Sequence, residues 1–286
     1  MADRAIEIWP NLQAYIRETE KKPKSQIPES KYYVTLRNAV RDKLIIAKLQ
    51  EFISVASLLE PFLMKFQTDS PMLPFLCEEL SLLLNNLMSK FVKQDLLDAA
   101  TMQNIAKIPM SNDSYIDAKN IKIGFGAKAT LRSLIADKKV SPRQVFEFRQ
   151  ECLVFYVTVV TKLQEKCPLK YTLARNLISL DPRLIVSEGS TSADNFEKVL
   201  DKLTEAGWNS DQESDVQLTQ YKKFVSESKK YHYEEFSNFK PYADDPSRLD
   251  IFLFKHLDGK EEFKDLWRTL KMLLTLSHGQ AAIERG

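Results

Sequence analysis

The chain has 286 residues, 44% of them apolar, and its 41 basic and 39 acidic side chains leave a net charge of +2. Sixteen Phe and ten Tyr supply bulk for a sizeable core and exclude a largely disordered chain. The balanced charge gives no global drive toward nucleic acid, seven Gly leave little for phosphate-cradling loops, and no run of about 18 apolar residues marks a membrane span.

The first periodic stretch, Ile8, Leu12, Tyr15 and Ile16 with Trp9 beside them, predicts a short helix over 6–16, with Pro10 placed to set its start. Residues 21–31 hold two prolines and many polar groups and read as a linker. Over 32–66, Leu44, Ala47, Phe52, Val55, Leu58, Leu59, Phe62 and Phe66 recur in steps that gather on one side of a helix. Pro61 is expected to kink or divide it. A turn at 67–71 precedes a helix over 75–91, whose stripe of Leu76, Leu80, Leu83, Leu84, Leu87, Met88 and Phe91 is broad enough for burial on more than one side. Residues 95–123 are less regular, and a short strand fits within 115–125.

The clearest helix start is Ser141 as cap, Pro142 in the first turn and Gln144 at the reciprocal capping position. Val145, Phe148, Cys152, Phe155, Val159 and Leu163 follow at helical spacing, Val154, Tyr156, Val157 and Val160 widen the apolar face, and Pro168 ends the run. A helix is expected over 169–180, a turn at Asp181 and Pro182, and a mobile polar segment over 187–194. Asp194 and Glu197 read as the capping pair of a helix carrying Phe196, Val199, Leu200 and Leu203, closed by Gly207. Polar residues at 209–215 lead to a helix with Leu218, Tyr221, Phe224 and Val225. Residues 231–246 read as an aromatic, charged linker and 250–257 as a short apolar segment. A strong helix over 262–276 follows, with Phe263, Leu266, Trp267, Leu270, Leu273 and Leu274 as its stripe.

Chemistry-bearing residues are scattered. Cys77, Cys152 and Cys167 are an odd, widely spaced set, a poor disulfide framework, and are expected as small core residues. His232, His256 and His278 are far apart and lack ligand-like spacing with Cys, so surface or core roles are expected rather than zinc. Ser277 beside His278 lacks the third group of a triad. Gly124, Phe125 and Gly126 lack the rest of a nucleotide loop and read as a turn. Asp69, Asp181 and Asp250 stand beside Pro or Ser or a helix start, where turns and caps are the plain roles. Lysine pairs such as 138–139 and 222–223 have acidic neighbours and read as solvated faces.

The tail runs through Phe263 to Trp267, then Leu273 and Leu274, Ser277 to Ala282, and Glu284 with Arg285. This order resembles the C-terminal region of hAT-superfamily transposases and their domesticated relatives, where a Trp-bearing helix, a small-residue segment and a Glu-Arg pair succeed one another. Residues 60–63, 66–69, 71–75 and 169–184 are also similar to vertebrate hAT-like proteins, so the resemblance covers most of the chain. It implies a mostly α, irregular multi-helical array like the insertion and C-terminal helices of such a transposase, without a complete RNase H-like core. The implied division is a helical insertion-like domain over 1–184, a helical and linker region over 185–246, and a truncated C-terminal region over 247–286.

In active members of that family, two Asp and one Glu hold divalent cations for phosphoryl transfer. Glu284 stands where the resemblance puts the catalytic Glu, but no run here supplies the strands that carry its Asp partners. The expectation is therefore no enzyme, no cofactor and no resident metal. The expected role is a non-catalytic scaffold or self-association module. Its partner would be a second copy or a related hAT-like protein, met through Leu266, Trp267, Leu270, Leu273 and Leu274, unless that stripe only fills the chain's own core. The alternatives are an incomplete part of an hAT-like DNA transposase or a non-cleaving nucleic-acid-binding protein. The resemblance implies a nuclear history, and the composition is equally compatible with the cytoplasm.

Overall fold

The computed structural model describes residues 2–242 and 247–276. Among them the chain is built of helices joined by turns, with one isolated antiparallel bridge, Val92 to Tyr115, and no strand. The mostly α class follows. In chain order the helices open with α1 (Ala2–Glu7), α2 (Trp9–Glu20), α3 (Lys31–Arg41) and α4 (Ile45–Phe66). Next come α5 (Leu73–Met88), α6 (Gln94–Asp98), α7 (Phe125–Ala136) and α8 (Pro142–Lys166). Then follow α9 (Thr172–Asn176), α10 (Pro182–Ser187), α11 (Gly189–Glu205) and α12 (Asp211–Tyr231). The last are α13 (Tyr233–Ser237), α14 (Leu249–Leu257) and α15 (Lys264–Leu274). No described helix is long and apolar enough to cross a membrane.

The chain forms two compact units that interleave along the sequence. One takes Met1–Glu60, Asn86–Asp98 and Pro109–Lys162; the other takes Pro61–Asn85, Ala99–Ile108 and Leu163–Gly286. This differs from the division expected at 184 and 246. Hydrophobic period reveals each helix but not which distant helix its stripe will meet. Segments 61–85 and 163–286 therefore share a unit that no local pattern announces.

The first unit is organised by α4 and α8. Ser141 and Gln144 make the expected reciprocal cap of α8: the Gln144 N–H donates to the Ser141 hydroxyl at 3.3 Å, and the Ser141 N–H donates to Gln144 Oε1 at 2.9 Å. The buried stripe of α8 is Phe148, Cys152, Tyr156 and Val160; Tyr156 and Val160, expected to widen the face, are buried more deeply than Phe155 and Val159, which are half-buried. Tyr156 turns inward because its hydroxyl has a buried partner. It donates to Glu51 Oε1 on α4 at 2.6 Å, while the Gly124 N–H donates to Glu51 Oε2 at 2.5 Å. Lys90 completes this centre at 3.3 Å from Oε1. Gly124 is the N-cap of α7 rather than part of a free turn, and Cβ on it would stand 2.6 Å from Ser54 Cβ. Residues 115–125 are broken by a 3-10 turn at Ala118–Asn120 and make few bonds to the chain beside them: the Ile116 N–H donates to the Phe91 carbonyl and the Lys122 N–H to the Lys90 carbonyl. One bridge is too little to make the strand that the sequence allowed there.

Helix α4 continues unbroken through Pro61, so the expected division does not occur. Pro168 does end α8, because Cys167 before it is pushed into the extended region.

In the second unit a single apolar core gathers α11, α12, α14 and α15 with shorter elements around them. Phe196, Val199, Leu200 and Leu203 of α11 are all buried, as their spacing predicts. Gly207, at φ +72°, closes that helix as expected. Its N–H reaches the Thr204 carbonyl and the Trp208 N–H reaches the Leu203 carbonyl, the paired bonds of a Schellman motif. The start of α11 is earlier than the Asp194 cap implied, at Gly189, and within 187–194 only Glu188 is not helical. Gly189 allows close helix packing: a Cβ there would lie 2.7 Å from Val225 on α12. Tyr221 stacks on Phe196 at 4.2 Å between centroids and donates to the Ser179 carbonyl at 2.6 Å. Asp181 caps α10 and pairs with Arg183, the plain role expected of it. The supposed linker after α12 contains α13, which delivers Phe236 fully buried to the core.

Candidate functional site

The stripe of α15 is the first place to look. Leu266, Trp267, Leu270 and Leu273 are buried within the chain's own core, and Leu274 packs partly buried against it. The surface expected of this stripe is thus already covered from within by the chain. An amphipathic helix spends its apolar face on the nearest available core, and α12 supplies that core beside it. Trp267 is held by an Nε1–H bond to Asp258 Oδ1 at 2.8 Å, and its ring meets Phe254 of α14 edge-on at 6.3 Å. Glu284, Arg285, His278 and residues 277–282 lie outside the described residues. Asp250 pairs with Arg248 in the first turn of α14.

Two histidines that the sequence keeps apart are brought together in the second unit. His232 precedes α13 as its N-cap, Glu235 stands three residues on, and His256 comes from the last turn of α14. Their nitrogen and carboxylate donor atoms all lie within 4.8 Å of one another. Phe236 anchors the cluster. Buried completely, it meets the His256 ring at 4.8 Å, while the His232 ring stacks against it at 6.3 Å. Phe252 adds a further apolar wall 5.0 Å from the His256 ring. His232 and Glu235, with Tyr231, Glu234 and Asn238, line an open groove on the solvent side.

The electrostatics follow from that setting. His256 is 4% exposed, and its Nε2 is buried without a hydrogen-bond partner; Glu235 Oε1 stands 3.4 Å away. Burial pushes the His256 imidazole below its usual range, partly opposed by the Glu235 carboxylate, and so favours the neutral ring. The Lys255 ammonium, donating to Glu235 Oε1 at 2.7 Å, holds that carboxyl below its ordinary value and ionised. A neutral imidazole and a carboxylate are the ligating forms of these side chains. Two imidazoles and one carboxylate are a donor set suited to divalent first-row transition ions.

The histidines lack ligand-like spacing with Cys in sequence, yet the fold brings His232 and His256 together with Glu235. A local signal existed in the step from His232 to Glu235, since positions i and i+3 share a helix face. The return of His256 from α14 had no such signal. Glu51 is another buried charged group, but both its oxygens are taken by Tyr156, Gly124 and Lys90, a closed structural node. No known family, curated protein or solved structure matches the chain.

Proposed function

We propose that the chain is a non-catalytic helical scaffold of hAT-transposase descent that self-associates through its C-terminal helices. The lineage rests on the order of Trp267, the small-residue segment and the Glu284–Arg285 pair, and it carries nuclear residence with it. The observation behind the association is the outer face of α14. Ile251 and Phe254, one turn apart, are 61% and 54% exposed. Phe254 is backed by Trp267, so an outward apolar pair stands on a rigid aromatic support. Rigid aromatic anchors lose little entropy on docking and recur at the centres of interfaces. The contact thus moves from the α15 stripe to the neighbouring helix that α15 supports. Nucleic acid is the lesser partner on this reading, because the basic pairs are neutralised locally: Lys139 bonds Asp137, and Lys223 lies between Glu227 and Glu262.

Sedimentation equilibrium across a concentration series tests the proposal. The wild-type chain is expected to dimerise, and Phe254→Asp to weaken the dimer by about tenfold or more, the equivalent of about 1.4 kcal/mol. Trp267→Ala should instead lower the stability of the fold itself, by about 3–5 kcal/mol. A wild-type monomer at every concentration defeats the proposal.

A further inference from the structure

We infer that His232, Glu235 and His256 form a binding site for a divalent first-row transition ion, with zinc the best fit to the donor set. Three observations converge. The donor atoms gather within 4.8 Å from two helices that are separate in sequence. The most deeply buried ligand, His256, has an Nε2 that is buried without a hydrogen-bond partner, 3.4 Å from Glu235 Oε1. Leaving a buried polar nitrogen unpaired is costly, and coordination removes that cost. The groove over His232 and Glu235 admits the ion and leaves its remaining positions to water.

The geometry needs a small closure. Zinc bonds of about 2.0–2.1 Å place neighbouring tetrahedral ligands about 3.3–3.5 Å apart. His256 is fixed among Phe236 and Phe252, whereas Glu235 is 38% exposed at its side chain and His232 lies at the groove edge. The outer two ligands therefore move about 1 Å toward the buried one by side-chain rotation. The Lys255 ammonium on Glu235 Oε1 competes with the ion for the same carboxylate and must swing aside. This competition gives the site a signature that a random surface histidine lacks.

The test uses the full chain, stripped of metal by a chelator. It is titrated with zinc by calorimetry and with cobalt(II) by visible absorption. One ion per chain is expected, with a raised thermal midpoint and ligand-field bands of a low-coordinate cobalt site. Magnesium, which prefers oxygen ligands, should give no response. His232→Ala and Glu235→Gln alter accessible side chains and should keep the helical circular dichroism. Each should weaken zinc binding by on the order of 100-fold, since loss of even an outer partner of a ligand costs about 10–100-fold. Lys255→Met should tighten zinc several-fold by freeing the carboxylate. Absence of stoichiometric zinc binding, or equal binding by wild type and both ligand variants, overturns the assignment.

Discussion

Among single residues, Gly124 and Glu51 make the sharpest demands. Gly124 lies where its N–H must reach Glu51 while Ser54 Cβ and Oγ stand 2.6 and 2.7 Å from any added Cβ. Gly124→Ala is expected to cost about 1–3 kcal/mol by overpacking, read as a lower urea midpoint at unchanged slope. Adding Ser54→Gly should recover part of the loss. Glu51→Ala should cost more, about 3–5 kcal/mol, because it leaves the Lys90 charge beside an empty place and the Tyr156 hydroxyl without its short bond. If either variant melts like wild type, the node is not the support described. The sequence places Tyr156 only on the widened edge of the apolar face, whereas it lies fully buried at the centre of the stripe. A tyrosine's direction depends on a distant acceptor, and Glu51 stands 105 positions away in the chain.

At the level of helices, caps decided what could be read in advance. Ser141 with Gln144, and Gly207 with its Schellman bonds, lie within a few residues of each other and were legible. The cap of α12 is as local: Ser210 and Glu213 close a full capping box inside a segment whose composition reads as a polar connection. Polar composition hid it, because the same residues that favour loops also favour helix starts. Glu213 also reports this cap by titration. The Ser210 N–H and hydroxyl, helped by Arg268, hold its carboxyl below the usual 4.5. A carboxyl depressed by folding stabilises fully above its unfolded value and loses that contribution as pH falls through the folded one. Glu213→Gln is therefore expected to lower the thermal midpoint at neutral pH and to flatten its fall on acidification. Parallel curves for the two proteins would disprove the linkage. The approach of His256 to His232 and Glu235 lies beyond local reading, as does α13: Phe236, which ties the short helix down, sits in a stretch whose charge disguises one buried ring.

Across the whole molecule, the three free cysteines are distributed between the two units, Cys152 in one and Cys77 and Cys167 in the other. Burial pushes the Cys77 and Cys152 thiols up to about 12 and raises that of Cys167. Alkylation needs the thiolate, so the native chain should resist iodoacetamide at pH 8 at all three positions. Labelling should appear only as each unit unfolds in urea, and mass spectrometry of the fragments would follow the units separately. Rapid native labelling at Cys152 or Cys77 would contradict their placement. The helical class was readable from period and composition, whereas the interleaved partition was not, since it depends on pairings between segments more than a hundred residues apart. That partition carries a practical lesson for dissection. Three of its five crossings, near 60, 85 and 162, fall inside α4, α5 and α8, where backbone amides are engaged in helical bonding. A protease needs a slack, extended stretch to cut, and these passages offer none. No single scission or truncation can liberate either body intact, so domain-mapping by fragments would yield broken halves of both.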